Sequence, residues 1–236
     1  MSFPSHCVII TAAGNSSRFN ESNGNGQQKK EFLLLDNRTV LYHATLPFVD
    51  LPNLKAIIVT YGEGCKDETE LALDNLLYTS TTPVILVQGG STRQESVYLA
   101  LQELEKRAIG AEYVLIHDGA RPWIDEKTII DTLATATVFG GAAPVLPIYE
   151  AVKKVDSDGR LQDHVDRSNL VTIQTPQAFH FKTILEAHHQ AANTTKFYVD
   201  DTEIFTDFGG FVGTNIGNIK NRKITKFEDI MYGSEV

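Results

Sequence analysis

Cys7-Val8-Ile9-Ile10-Thr11-Ala12-Ala13-Gly14-Asn15-Ser16-Ser17-Arg18, followed further on by Lys30, is the stretch that decides how this chain reads. Four residues of strand character run into small residues, then into a polar stretch taken here to have no apolar anchor before Phe32. That is the pattern of a strand delivering a loop to the edge of a sheet. Ala12, Ala13 and Gly14 carry almost no side chain, so a ligand can approach successive backbone N–H groups, which together form a concave anion site. Arg18 adds a planar fork suited to phosphate, and Lys30 adds a mobile point charge. Residues 20–28 are rich in Asn, Ser, Gly and Gln, a composition expected to stay mobile and to close as a lid over a bound anion. The stretch is neither the dinucleotide fingerprint nor a Walker A loop.

Working outward, strand and helix signals alternate. Extended residues 33–35 turn at Asp36-Asn37, and Thr39 caps a helix that Pro47 bends before Val49. Strands are expected at 54–60, 84–87, 113–117 and 141–144, with helices at 66–77, 92–107 and 125–138 between them. Strand–helix alternation with short connections implies a parallel sheet covered by helices on both faces. Ligands of such sheets sit outside the carboxyl ends of the strands. The loops at 12–18, 89–96 and 117–121 should therefore share one rim.

After Pro147 the rhythm changes. Residues 151–155 and 161–165, joined by Asp156-Ser157-Asp158-Gly159, read as a hairpin with too little apolar surface to stand alone. A second subunit is the natural cover for such an arm. Thr175-Pro176-Gln177 is expected to lead into a helix at 182–192. Asp200 with Glu203, and Thr225 with Glu228, carry capping-box spacing.

The 236 residues fit one large α/β domain with a substantial core. With 30 acidic against 21 basic residues, the net charge of −9 argues against general binding to nucleic acid or anionic membranes. Two cysteines make neither a disulfide framework nor a zinc site. No apolar run approaches the roughly 20 residues of a membrane span, and a cytoplasmic protein is the simplest expectation.

Gly89-Gly90-Ser91-Thr92-Arg93-Gln94-Glu95-Ser96 places flexible residues, hydroxyls and an arginine at a helix start, suited either to an anion or to a simple capped turn. Asp118, at a strand's carboxyl end, suits a hard cation shared with phosphate oxygens, or a turn. Arg121 can orient that carboxylate. Lys220, Arg222 and Lys223 form a small basic cluster. No His, Cys or Asp spacing suggests a metal cage or a nucleophilic triad. Several cations around one carboxylate fit phosphoryl or nucleotidyl transfer, where they neutralise a polyphosphate.

Five motifs in order, Ala12-Ala13-Gly14 with Arg18 and Lys30, Gly89-Gly90 with Arg93, Ser96 and Val97, His117-Asp118 with Ala120-Arg121-Pro122, Val165-Asp166-Arg167, and Gln174-Thr175-Pro176-Gln177 with Phe179, resemble the 2-C-methyl-D-erythritol 4-phosphate cytidylyltransferases. The similarity spans nearly the whole chain. It implies a Rossmann-like nucleotidyltransferase fold, one α/β domain over residues 1–236 with helices on both faces of a mostly parallel twisted sheet, and a protruding β-arm at 147–173 that dimerises. It implies cytidylyl transfer from CTP to 2-C-methyl-D-erythritol 4-phosphate with Mg²⁺, giving CDP-methylerythritol and pyrophosphate, in a homodimer. By position, Arg18 and Lys30 match the pair that grips the triphosphate, and Lys223 matches a phosphate-contacting lysine, with Lys220 as the other register. Ala12, Ala13, Gly14, Gly90 and Ser96 match the cytosine pocket, supported by Arg93. Asp118 matches the acid near the sugar and metal. Arg167 and Thr175 match arm residues that reach a neighbour's substrate.

Ala151, Val199, Lys220 and Lys29 depart from the family pattern, chiefly on the alcohol side. A ribitol-5-phosphate cytidylyltransferase is therefore the nearest alternative. A nucleotide-binding regulator without catalysis follows, and an NAD-dependent oxidoreductase is remote for want of the glycine spacing.

Overall fold

A computed structural model describes residues 3–23 and 28–233. In chain order the first strands are β1 (His6–Ala12), β2 (Leu34–Leu35), β3 (Arg38–Thr39), β4 (Leu54–Tyr61), β5 (Val84–Gln88), β6 (Tyr113–Asp118) and β7 (Gly140–Pro147). They are followed by β8 (Lys153–Val155), β9 (Leu161–His164), β10 (Val171–Ile173), β11 (Gln177–His180) and β12 (Phe211–Ile216). The helices are α1 (Ser17–Asn23), α2 (Val40–Thr45), α3 (Lys66–Leu73), α4 (Leu76–Thr79), α5 (Arg93–Lys106), α6 (Glu126–Phe139), α7 (Phe181–Ala191) and α8 (Asp201–Asp207).

The main sheet has the order β10-β7-β11-β6-β1-β4-β5, with β12 on the other side of β7. β1 pairs in parallel with β4 and β6, and β4 in parallel with β5. Side chains of β1 alternate between faces. Val8 and Ile10 enter one apolar cluster while Cys7 and Ile9 enter the other. Both faces are covered, which is why this strand reads as an unbroken apolar run. Each fully buried Ile or Val of this kind contributes about 2 kcal/mol from the area it removes from water. Burial also pushes the Cys7 thiol up to about 12, so it behaves as a core residue.

The expected α/β architecture is present, with four differences of detail. The polar loop does have an anchor: Phe19 is wholly buried, packing with Leu35, Val40 and Ile224, and it makes residues 17–23 helical. Of the expected lid at 20–28, residues 20–23 thus belong to α1, and 24–27 lie outside the described residues. The helix expected at 66–77 is two helices, broken at Asp74 where φ is +49°. Leu71, an apolar residue of the first of these helices, is 80% exposed.

The helix expected at 182–192 is α7, but residues 177–180 before it form an unforeseen strand. β11 wedges antiparallel between β6 and β7, with Ala178 and Phe179 fully buried. Four residues with two apolar side chains give no periodicity to detect. Near the C-terminus, Asp229 and not Glu228 accepts from the N–H groups of Thr225 and Lys226, both at 2.7 Å.

The cap at Thr39 holds, its hydroxyl accepting from Tyr42 N–H at 3.0 Å. At α8, Asp200 accepts from Thr202 and Glu203 while Glu203 reaches back to Val199 N–H. Strands β8 and β9 form the separate two-stranded arm. Val155 and Leu161 on it are 63% and 74% exposed. Among the described residues, no helix is long and apolar enough to cross a membrane.

Candidate active site

Register brings the three expected loops together. Thr11 pairs with Thr60 on one side and Asp118 on the other, and Tyr61 pairs with Gln88. The carboxyl ends of β1, β4, β5 and β6 therefore stop level with one another, beneath a cavity of about 720 Å³. That volume lies within the range of small-molecule sites.

One end of the cavity is built from backbone. Ala13 and Gly14 line it, whereas Ala12 is buried behind it with its N–H donated to Thr60 Oγ1 at 3.1 Å. Gly89 faces them, and a Cβ there would stand 2.4 Å from Ala13 Cβ and 2.7 Å from Ser96 Oγ. Only glycine fits this approach. The buried Ser96 hydroxyl donates to Thr92 carbonyl at 2.8 Å and accepts from Gly90 N–H at 3.1 Å. Ser96 thus fixes the Gly89-Gly90 turn to the start of α5, where Thr92 is the cap.

The other end is built from charge. Asp118, 5% exposed, faces Lys223 Nζ at 2.9 Å, Arg121 Nε at 3.2 Å and Arg93 Nε at 3.3 Å. Burial opposes ionisation of its carboxyl, but Lys223, Arg93 and Arg121 outweigh it and hold the carboxyl well below the usual range. Behind it, burial lowers His117 to about 4, so the ring is neutral at physiological pH. Its Nε2 lies 3.1 Å from the Arg121 carbonyl, which can only accept, so Nε2 carries the proton. Nδ1 then accepts from the Thr175 hydroxyl at 3.0 Å, and that hydroxyl accepts from Asp118 N–H at 3.1 Å.

Lys30 is a fixed charge, not a mobile one. It is 9% exposed, and its Nζ donates to Ile224 carbonyl at 2.8 Å. Burial pulls its pKa down, Glu31 and Asp118 pull it up, and Lys223 and Arg18 reinforce the fall. Glu31 is buried beside it and takes a hydrogen bond from Ser16 Oγ at 3.2 Å; burial pushes its carboxyl up. Arg18 is exposed on α1 and lines the same cavity. Lys29 lines it too, its Nζ donating to Gly14 carbonyl at 3.2 Å.

The C-terminal tail closes this end. Asn221 carbonyl accepts from Arg121 Nη1 at 2.9 Å, and Ile224 N–H donates to Ala120 carbonyl at 2.8 Å. Of the two candidate lysines, Lys223 reaches the cavity; Lys220 is exposed and does not line it.

Of the two residues expected on the arm, one is elsewhere. Thr175 is not on the arm: it is buried beneath the cavity, its hydroxyl engaged by His117 and Asp118. Arg167 is exposed at the base of the arm, donating to the Tyr149 carbonyl, and does not line the cavity. Glu31 and Asp201 were missed. Asp201 is fully buried and pairs with Arg93 Nη1 at 2.7 Å. In sequence it is marked only as the neighbour of Asp200, which carries the capping-box spacing with Glu203.

A parallel α/β sheet whose strand ends present a glycine turn, a buried carboxylate and converging cations defines a nucleotide-binding protein of the transferase type. Residues 6–235 match the family pattern of 2-C-methyl-D-erythritol 4-phosphate cytidylyltransferase. The enzyme of that name from Bacillus cereus is 36% identical over 226 residues, covering 96% of this chain and 95% of the relative. That from Clostridium novyi is 32% identical over 233 residues, with 98% and 96% covered. In fold, a 4-diphosphocytidyl-2C-methyl-D-erythritol synthase structure from Anaerococcus prevotii superposes with a TM-score of 0.79 at 24% identity, over 98% of this chain and 94% of that one. The chain belongs to the 2-C-methyl-D-erythritol 4-phosphate cytidylyltransferase family.

Proposed function

We propose that this chain transfers a cytidylyl group from CTP to 2-C-methyl-D-erythritol 4-phosphate, giving CDP-methylerythritol and pyrophosphate in the non-mevalonate route to isoprenoids. The observation that carries the reading is the cation-rich cavity, in which Arg93 and Lys223 pair with the buried Asp118 while Arg18 and Lys30 line the same space. A phosphate oxygen of the alcohol substrate attacks the α-phosphorus, the bond to pyrophosphate breaks, and negative charge builds on the phosphoryl oxygens. Lys30, already desolvated, meets that charge in a low-dielectric setting at no cost in rearrangement. Arg18 brings a bidentate fork from α1. The backbone of Ala13, Gly14 and Gly90 takes the cytosine, with Ala12 shaping the wall and Ser96 and Arg93 holding the turn.

Among the described residues no group of three or more His, Cys, Asp or Glu could hold a metal alone. Asp118 already faces Lys223, Arg121 and Arg93, so Mg²⁺ would arrive on the triphosphate and take its ligands from phosphate and water, with Asp118 as the one protein donor. Bound so, Mg²⁺ would neutralise phosphate charge. Thr175 and His117 keep Asp118 aimed at the cavity, and Lys223 offers a phosphate contact. The arm at 147–173 dimerises the protein and carries Arg167 to the neighbour's polyol phosphate, in a cytoplasmic homodimer.

The test is pyrophosphate release from CTP and Mg²⁺ with methylerythritol phosphate, with ribitol 5-phosphate, and with no alcohol. Release only with methylerythritol phosphate is expected. Preference for ribitol 5-phosphate would transfer the reading to the polyol alternative, and binding of CTP without turnover on either would make the chain a regulator.

A further inference from the structure

We propose that His188 is a positioning residue for the reaction, acting through Asp201 to hold the Arg93 guanidinium against Asp118. The inference rests on the reading of the cavity as the nucleotide site.

Neither His188, on α7, nor Asp201, on α8, lines that cavity, and both are fully buried. They nevertheless connect to it by a run of charged contacts, hydrogen bonds at its two ends and an ion pair between Asp201 and Arg93 in the middle. His188 Nε2 stands 3.1 Å from Asp201 Oδ1, Asp201 Oδ2 stands 2.7 Å from Arg93 Nη1, and Arg93 Nε stands 3.3 Å from Asp118 Oδ1. Burial raises the Asp201 carboxyl, but Arg93 and His188 outweigh it and keep it ionised. An ionised carboxylate only accepts, so His188 Nε2 must donate. Asp201 is fixed a second time by its own N–H, which donates to Gln177 Oε1 on β11 at 3.2 Å. The His188 ring lies nearly parallel to Tyr98 of α5, 14° apart with centroids at 6.4 Å, so the helix that begins at Arg93 also locates the histidine.

Such a chain is poorly explained as a device for stability. Buried ion pairs repay little more than their desolvation, and well-packed apolar side chains in their place are often as stable. It is well explained as a device for geometry. Arg93 is shared by two carboxylates through different nitrogens, one at the cavity and one behind it. With Asp201 fixed from behind, the guanidinium cannot swing into the nucleotide space or settle wholly on Asp118, and Asp118 stays in reach of Lys223. Because Arg93 is the first residue of α5, its placement also sets the start of the helix that Ser96 ties to the Gly90 turn.

The test is a double-mutant cycle on the full-length protein, read by pyrophosphate release, by calorimetric CTP binding without alcohol, and by thermal unfolding. His188→Leu is expected to lower kcat about tenfold while KM for methylerythritol phosphate stays within about twofold. His188→Gln, which keeps an N–H donor, should recover most of that loss. In an Arg93→Gln background, His188→Leu should change kcat and CTP affinity by less than about twofold, since its route of action is gone.

Unchanged kcat in folded His188→Leu, failure of glutamine to rescue, or equal losses with and without Arg93 would each overturn the inference. Should His188→Leu not fold, Asp201→Asn in the two Arg93 backgrounds decides by the same criteria. Absence of turnover in the wild-type protein would overturn the functional reading instead, and the calorimetric cycle would still decide the role of His188.

Discussion

Lys30 and Ile224 meet across 194 residues of chain, the lysine ammonium donating to the isoleucine carbonyl at 2.8 Å. The contact seats the charge and ties the first loop to the C-terminal tail. Lys30→Met should therefore lower kcat by about a thousandfold, because it removes a preorganised charge from the transition state. The folded pKa of Lys30 lies below the ordinary 10.5, and the cation is the active form. Activity should fall on the alkaline side at a pH below 10.5, and Lys30→Arg should shift that limb upward. A pH–rate profile checks both.

His117 predicts the acid limb of stability. Its ring titrates near 6.5 when unfolded and at about 4 when folded, so below 6.5 the unfolded chain binds the proton first. The stabilisation is fully present above pH 6.5 and is lost as pH falls toward 4, with an upper bound of about 3 kcal/mol. Burial of His6 acts in the same direction, whereas the raised carboxyl of Glu31 opposes it just above 4.5. Comparison with His117→Gln isolates the histidine. Urea unfolding from pH 7 to 4 should show a shallower loss in the variant, and parallel slopes would refute the assignment.

The two glycines of the turn should respond differently. A Cβ at Gly89 meets the buried Ala13 and Ser96, which cannot move aside, while one at Gly90 meets the exposed Glu95 side chain, which can. Gly89→Ala is expected to weaken CTP binding about tenfold, because a Cβ 2.4 Å from Ala13 Cβ forces the wall to move by about an ångström in a close-packed site. Gly90→Ala should cost no more than about threefold. Calorimetric titration with CTP separates them.

The arm exposes Val155 and Leu161 on a hairpin too small to be stable alone. Analytical ultracentrifugation is expected to show the proposed arm-mediated dimer for the unaltered protein and a monomer for Leu161→Asp. Arg167→Ala should leave the dimer intact and raise KM for methylerythritol phosphate about tenfold without altering CTP affinity. A change confined to CTP would count against the placement of Arg167 at the alcohol phosphate.

The amino-acid sequence by itself determined the α/β alternation, the rim of loops and most of the charged groups on it. Those features are local: apolar runs such as 7–10, glycine pairs such as 89–90, and charges placed just past strand ends are legible because periodicity and backbone freedom are properties of neighbouring residues. What the tertiary structure decided lies in contacts between residues far apart in the chain. Phe19 is a single aromatic in a polar stretch, and only packing against Leu35 and Ile224 makes it an anchor. β11 exists because β6 and β7 leave a gap that its four residues fill. Thr175 turned from an arm residue into the support of Asp118, and Asp201 from a cap neighbour into the partner of Arg93. Hydrogen bonds and ion pairs at 2.7–3.3 Å depend on where whole elements come to rest, and no local pattern of residues encodes that distance.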